Sequence, residues 1–227
     1  MAQETGNGIF SFFAQFKRLY YKKNETIIRA DDAPQGVFYI KSGHVRMLSI
    51  FEAGKQLTLN IFKPGSYFPM IWTIADVQNS YYYQAITDAE VYRAPKDALI
   101  EFIKKNPTEL YTLTRRILIG LGGFLTNSQH LLFGDAYHRV ASVLLLCAKR
   151  FGEKNANQQI LIKIPLTHQE IANLSGITRE TASIEINNLK RKKIISYHRH
   201  TICINSIETL EKELEVYNSP KEFPDIV

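Results

Sequence analysis

The sequence contains few cysteines and no long run of apolar residues. Among its 227 residues, Cys147 and Cys203 are the only cysteines, which excludes a disulfide framework, a zinc site of several cysteines and a cysteine-bound iron–sulfur cluster within one chain. No segment approaches the roughly 18 consecutive apolar residues of a transmembrane helix. The amino-terminal basic residues follow the aromatic run, whereas a secretory signal has them before it. These absences predict a cytoplasmic protein that has no membrane segment and no metal or other cofactor.

The sequence also lacks the residue patterns of an enzyme. It contains no evident nucleophile–base pair, no phosphate-cradling glycine loop and no spacing of metal ligands. Cys147 lies in the apolar run VASVLLLCAK, which favours a buried, inert thiol. His44 and His130 have no evident second ligand and are interpreted as structural histidines. We therefore expect a protein without catalytic activity.

Positive charge is concentrated in one part of the chain. Residues 136–205 carry eleven basic and four acidic side chains, a balance of +7, whereas residues 1–135 sum to +3 and residues 206–227 to −4. A basic segment of this kind is typical of a surface that binds DNA or RNA. A solvated basic face without a partner is the alternative.

The first part of the chain has the pattern of short antiparallel strands. Between residues 26 and 93, apolar and polar residues alternate, and Gly43, Gly54 and Gly65 lie eleven residues apart. Turn residues at that interval, between segments rich in β-branched and aromatic residues, predict a sandwich or barrel.

A long helix is predicted from Pro107 to about Phe133. Apolar residues recur along it at spacings of three and four, which places them on one face. Such a face packs against a partner helix, here a second copy of the chain, or against the chain's own barrel, and the two are compatible. The residues of this face are Leu110, Leu113, Ile117, Leu121 and Phe124.

Two short helices are predicted within LTHQEIANLSGITRETASIEINNLKRKKII, which begins at Leu166. Thr167 and Glu170 form a capping box, Gly176 supplies a tight turn and Thr178 caps the second helix. A strand hairpin with Arg199 and His200 at its tip follows. A helix-turn-helix with such a wing predicts a DNA-binding domain.

The exposed face of the second helix carries candidate DNA-binding residues. Arg179 has a fork of donors that fits guanine, and Glu180 can accept a hydrogen bond from a cytosine amino group. The predicted base-reading set is Arg179, Glu180, Ser183, Ile184 and Asn187. Lys190 and Lys192 belong to a basic run that would contact phosphates, as would Arg199.

The order of these features resembles the CRP/FNR superfamily of bacterial transcription regulators, most specifically in TRET at the start of the second helix and in VFYIKSGHVRM of the strand region. The resemblance implies an α+β fold, with an N-terminal antiparallel β-roll of the jelly-roll-like, cyclic-nucleotide-binding-domain type, a long dimerisation helix and a C-terminal winged helix-turn-helix. It implies a homodimer on a two-fold symmetric operator of double-stranded DNA, with Thr167, Gln169, Thr178 and His200 on the backbone and RNA polymerase as a partner. The expected domains are the roll at 1–107, the helix at 108–134, the winged helix at 135–205 and an acidic tail at 206–227.

The sequence departs from the family where cyclic nucleotides bind. Asn79 and Ser80 stand where an Arg-Ser pair holds the phosphate, and Phe124 and Leu125 replace the polar pair that meets the adenine. A buried phosphate without a cation would cost several kcal/mol, so we expect an effector other than a cyclic nucleotide, or none. Trp72, Tyr81 and Tyr83 are candidates for an apolar effector pocket, although ordinary core packing also explains them.

A second interpretation remains open. The chain would then be a small-ligand-sensing module with a degenerate cyclic-nucleotide-type pocket, acting mainly through protein contacts. A steep loss of DNA affinity with added salt would exclude it.

Overall fold

The structure is a computed structural model that describes residues 7–198 and 201–214. The chain divides into two compact units, the first ending at Thr114 and the second beginning at Arg115. Antiparallel strands dominate the first unit, and helices with a small sheet form the second. This confirms the α+β class that the resemblance implied.

The first unit contains two four-stranded antiparallel sheets, with strand orders β1-β8-β3-β6 and β2-β7-β4-β5. Gly43 joins β3 to β4 with a φ of +82°, and a Cβ there would collide with the carbonyl of Asp88, so the predicted glycine turn is real. The strands are β1 Lys17–Tyr21, β2 Thr26–Ile28, β3 Val37–Ser42, β4 Val45–Ile50, β5 Gln56–Phe62, β6 Tyr67–Phe68, β7 Tyr82–Ala85 and β8 Ala89–Ala94.

Two groups of buried residues hold this unit together. One lies between the sheets and centres on Phe68 and Tyr83, whose rings stack with centroids 4.8 Å apart. The other joins the outer face of β3 and β8 to flanking helices and includes Phe13, Tyr39 and Leu99. These helices are α1 Asn7–Phe13, α2 Met70–Ala75 and α3 Lys96–Lys105.

The predicted effector pocket of Trp72, Tyr81 and Tyr83 is not assembled. Tyr83 is 2% exposed inside the first group, and Tyr81 packs against that same group. Trp72 packs instead against the second group, and the Lys96 ammonium lies 4.7 Å from its ring centroid. Packing in two separate groups of buried residues therefore accounts for Trp72, Tyr81 and Tyr83, which is the alternative that the sequence left open.

The long helix α4, Pro107–Phe133, has the predicted extent. Leu110, Ile117, Leu121 and Phe124 are each about half exposed. Leu113, which was predicted to lie on the dimer face, is instead 5% exposed, because it packs into the core of the first unit. The helix is continuous through its glycines, and a Cβ on Gly120 or Gly123 would meet open space.

The second unit packs α5, α6 and α7 around a common core beside a four-stranded antiparallel sheet of order β11-β12-β10-β9. The predicted hairpin is present as β11 and β12. The elements are α5 Ala136–Phe151, β9 Gly152–Lys154, β10 Ile160–Ile162, α6 His168–Ser175, α7 Arg179–Arg191, β11 Ile195–His198, β12 Thr201–Ile204 and α8 Ile207–Lys212.

The start of the expected acidic tail is folded into this unit. Helix α8 packs on α5, and Leu210 and Leu214 are buried. Lys149 of α5 also forms a 2.7 Å ion pair with Glu211. Apolar burial therefore carries the folded part beyond residue 205, where the sequence placed the start of the tail. The rest of that segment, residues 215–227, lies outside the described residues.

Within the described ranges, no helix is long and apolar enough to cross a membrane.

Candidate nucleic-acid interface

Hydrogen bonds at the helix ends build the helix-turn-helix. The Thr167 hydroxyl accepts from the Glu170 backbone N–H at 3.1 Å, and α6 begins at His168 as predicted. Gly176 ends α6 in the left-handed conformation with a φ of +64°, which glycine adopts without strain. The Thr178 hydroxyl then accepts from the Thr181 N–H at 3.2 Å and starts α7. The two caps fix where each helix begins.

Burial of one side of α7 decides which residues face solvent. Ala182, Ile186 and Leu189 are at most 1% exposed, which fixes the rotation of the helix about its axis. The opposite side is exposed and carries Glu180, Ile184 and Asn187, and Arg179 is exposed at the first position of the helix. Four of the five predicted base-reading residues are therefore accessible to solvent. Exposed Ile184 is unusual there, because nothing within the described chain covers its apolar side chain.

Ser183, the fifth predicted residue, is half-buried and hydrogen-bonded within the protein. Its hydroxyl donates to the Arg179 carbonyl oxygen at 2.9 Å. Its oxygen also lies 2.7 Å from His168 Nδ1. Ser183 is thus turned toward α6, and these contacts give it a supporting position between the helices.

The basic run at the end of α7 is exposed, but its members differ in their contacts. Lys190 Nζ lies 5.8 Å from the ring centroid of Tyr197 in the wing. Lys192 Nζ donates to Glu213 Oε2 at 2.7 Å and lies 4.5 Å from the ring centroid of Tyr137. The hydrogen bond to Glu213 raises the pKa of Lys192 and lowers that of the Glu213 carboxyl. Lys192, a predicted phosphate contact, already has an anionic partner in this state.

Glu213→Gln is expected to raise affinity for DNA of any sequence by a few-fold at low salt, because it frees Lys192 to neutralise a phosphate. The salt dependence should also become steeper. The measurement is a titration of unrelated duplex DNA at several salt concentrations.

Glu211→Gln is the matched control, since it makes the same charge change close by, within α8, but releases Lys149, which lies on α5. Equal gains in the two variants would show that net charge alone is responsible and that Glu213 does not restrain Lys192.

The remaining predicted backbone contacts flank these helices. Gln169 is exposed, and its amide donates to Asn173 Oδ1 at 2.8 Å. Thr167 and Thr178 are exposed cap residues whose hydroxyl oxygens accept backbone N–H groups. Arg199 and His200, predicted at the wing tip, lie outside the described residues.

The loop that the resemblance places at a phosphate site has Asn79 hydrogen-bonded within the protein. Asn79 is 4% exposed, and its side-chain amide donates to the carbonyl oxygens of Arg29 and Tyr81, both at 2.9 Å. Both amide protons are therefore used within the protein. The neighbouring Ser80 is exposed.

The titratable groups outside the interface are embedded in the fold. Burial raises the pKa of the Cys147 thiol to about 12, in keeping with an inert cysteine. Burial, with a contribution from Lys63, lowers the pKa of His44. Over the described part of the chain, no group of three or more His, Cys, Asp or Glu side chains is arranged to hold a metal ion. The His130 side chain is outside that description.

Three residues that the sequence analysis missed make long-range contacts here, namely His168, Tyr197 and Glu213. Their partners lie 15, 29 and 21 positions away along the chain. No local pattern reports a contact of that separation, because it depends on how the helices and the wing pack.

Comparisons with known proteins agree with this geometry. Residues 18–106 match the model of the cyclic nucleotide-binding domain, and residues 138–213 match the Crp-like helix-turn-helix domain. The chain is 27% identical over 199 residues to the global nitrogen regulator of Nostoc sp., and this alignment covers 85% of this chain and 87% of that protein. It is 28% identical over 185 residues to the cAMP-activated global transcriptional regulator CRP of Salmonella typhimurium, with coverage of 81% and 87%.

Solved structures show the same fold. A mutant of CooA from Carboxydothermus hydrogenoformans superposes with a TM-score of 0.75 at 24% identity over 90% of each chain. The c-di-GMP responsive global regulator CLP of Xanthomonas campestris gives a TM-score of 0.73 at 20% identity, over 88% of this chain and 98% of that one. The curated relatives are transcription regulators, not enzymes. With its roll, its long helix and its capped helix-turn-helix, this chain belongs to the CRP/FNR family of DNA-binding transcription regulators.

Proposed function

We propose that the protein is a homodimeric, cytoplasmic regulator that binds a two-fold symmetric operator through two winged helices and acts on RNA polymerase. The observation that carries this proposal is the exposed pair Arg179 and Glu180 at the capped start of α7, beside a basic run. Forked donors and a carboxylate at the end of a helix that fits the major groove can distinguish base pairs. Nearby lysines supply the positive charge that attracts the DNA-binding domain to the phosphate backbone.

The apolar face of α4 supports the homodimer. Eight large apolar side chains on this helix are 46–73% exposed: Leu110, Tyr111, Ile117, Leu118, Leu121, Phe124, Leu125 and Leu132. Most of them lie on one side of the helix. A contiguous apolar surface of this kind marks an interface, and a second copy of the same helix offers the matching surface.

Leu121→Glu is expected to weaken the dimer by at least about ten-fold, because each copy would bury a charge in an apolar contact. Arg115→Glu, which places a carboxylate on another side of the same helix, should leave the dimer intact. Sedimentation velocity over a range of protein concentrations measures both. A Leu121→Glu variant that stays dimeric at low concentration would contradict this assignment of the interface.

We infer that the effector is something other than a cyclic nucleotide, or that none is needed. The two amide protons of Asn79 are used within the protein, so the Asn79 side chain offers no donor to a phosphate. On the long helix, the polar pair that meets an adenine is replaced by Phe124 and Leu125, which are apolar and about half exposed. A cyclic nucleotide would find neither its charge partner nor its base partner.

Selection of bound fragments from a random DNA pool, with effector-free protein, tests the proposal. Enrichment of a two-fold symmetric site would support a resting dimer that is competent to bind. Weak, salt-dependent binding without enrichment would mean that an effector is required. Binding that does not change with salt would favour the ligand-sensing module that acts through protein contacts.

Ile184→Arg is expected to change the selected sequence at one step of each half-site toward guanine. In the wild type, the exposed Ile184 side chain fits the methyl group of a thymine, whereas arginine fits guanine. The same selection performed on the variant makes the comparison. An unchanged preferred site would exclude Ile184 from base contact.

A further inference from the structure

We propose that His168 is a positioning residue that ties the wing to the recognition helix α7, so that both contact DNA in a fixed relative register. The proposal rests on the proposed function, because the register matters only if both elements contact DNA. It adds His168 and Tyr197, which are predicted neither to read bases nor to contact the phosphate backbone.

The contacts form a continuous path between three elements. His168 is the first residue of α6, and its Nδ1 lies 2.7 Å from Ser183 Oγ on α7. Its Nε2 lies 3.3 Å from the hydroxyl oxygen of Tyr197 on β11. One imidazole ring therefore contacts both the recognition helix and the wing.

The hydrogen-bond chemistry of the path assigns a direction to each bond. Ser183 has one hydroxyl proton, and it donates that proton to the Arg179 carbonyl oxygen at 2.9 Å. Ser183 Oγ must then accept from His168, so the ring carries its proton on Nδ1. In the neutral ring Nε2 is an acceptor, and the Tyr197 hydroxyl donates to it. Partial burial raises the pKa of Tyr197, so the phenol retains the proton that this bond requires.

The path ends at the residues that the DNA contacts depend on. Its helix end is the backbone of Arg179, the predicted guanine reader, within the first turn of α7. At its other end, the Tyr197 ring lies beneath the Lys190 ammonium, a predicted phosphate contact. A shift of the wing would therefore disturb a base contact and a phosphate contact together.

Tyr197→Phe and His168→Asn provide the test, on operator DNA selected by the wild-type dimer and on an unrelated duplex. Tyr197→Phe removes only the hydroxyl and keeps the ring beside Lys190. His168→Asn places an amide near the position of Nδ1, so it retains a donor for Ser183 and loses the bond to Tyr197. Each variant should lower the ratio of operator to unrelated-DNA affinity by about five-fold, the effect of losing one hydrogen bond. The double variant should lose no more than either single variant, because both remove the same link.

Tyr20→Phe is the matched control, since it makes the same chemical change on an exposed tyrosine of the first unit and should leave both affinities unchanged. Equal losses on operator and unrelated DNA would overturn the proposal, as would losses that multiply in the double variant.

A measurement without DNA separates this proposal from the proposed function. Nitrogen-15 NMR of the wild-type protein should show His168 protonated on Nδ1, and Tyr197→Phe should speed amide hydrogen exchange in β11. A ring protonated only on Nε2, or unchanged exchange, would overturn the link even if an operator is found. If the wild type selects no operator, the function fails, while the NMR result still decides whether the link exists.

Discussion

Arg179→Ala is expected to lower affinity for the selected operator by about 100-fold or more, because a bidentate contact to guanine contributes about 1–3 kcal/mol and a dimer loses two of them. Affinity for unrelated DNA should fall only by the small effect of removing one positive charge per DNA-binding domain. Arg179 is exposed at the first position of a capped helix. Its backbone carbonyl oxygen, and not its side chain, accepts the hydrogen bond from Ser183, so the substitution to alanine keeps that contact. The loss would therefore report recognition and not misfolding.

Lys190→Ala is the comparison on the same helix. Removing a phosphate contact should weaken binding to operator and unrelated DNA alike, and should reduce the slope of log affinity against log salt by about one for each phosphate that the lysine neutralises. Fluorescence anisotropy at several salt concentrations measures both variants. If Arg179→Ala lowered both affinities equally, as Lys190→Ala is expected to do, Arg179 would be a phosphate contact and the base-reading assignment would be wrong.

Tyr83→Ala is expected to destabilise the first unit by about 3–5 kcal/mol, the cost of deleting a large buried ring. Tyr83 is 2% exposed and stacks on Phe68 with the ring planes 7° apart. It also lies 6.1 Å from the ring centroid of Phe62, so its removal leaves a cavity between two other aromatic side chains. Strands of the roll cannot close such a cavity without giving up their register.

Urea unfolding followed by tryptophan fluorescence measures this effect, because Trp72 is the only tryptophan in the chain and lies in the first unit. Tyr20→Ala, which removes a tyrosine that is 65% exposed, should change the free energy of unfolding by no more than about 0.5 kcal/mol. A Tyr83→Ala protein as stable as wild type would show that the ring does not fill the core, and would make Tyr83 a candidate for an effector pocket again.

Much of the secondary structure could be predicted from interactions between residues that are close together in the sequence. Thr167 with Glu170 and Gly176 predicted where α6 begins and ends, and Thr178 predicted where α7 begins, because helix caps are set by residues within one turn of the helix end. Four of the five residues predicted for the exposed face of α7 are exposed, because Ala182, Ile186 and Leu189, at spacings of three and four, bury the other side of the helix. Glycine turns and alternation predicted the strand region in the same way.

The surroundings of several residues could not be predicted, because they depend on contacts with residues far away in the sequence. Leu113 shares its helix face with Leu110 and Ile117, and no periodicity shows that the core of the first unit covers that one turn. Ser183 lies on the polar side of α7, but the approach of α6 turns it into a support for the helix pair. Trp72 and Tyr83 are both aromatic and close in sequence, yet the sheets divide them between two cores.

The sequence by itself determined the class of protein. A roll of short strands, one long apolar-faced helix and a capped helix pair with a basic end are set by the spacing of residues that are near one another in the chain. Only the tertiary structure decided which charges and hydroxyls are free to meet DNA. Lys192 is held by Glu213, and Ser183 by His168, because side chains 21 and 15 positions apart come within hydrogen-bond distance only when the apolar faces of their elements are buried together.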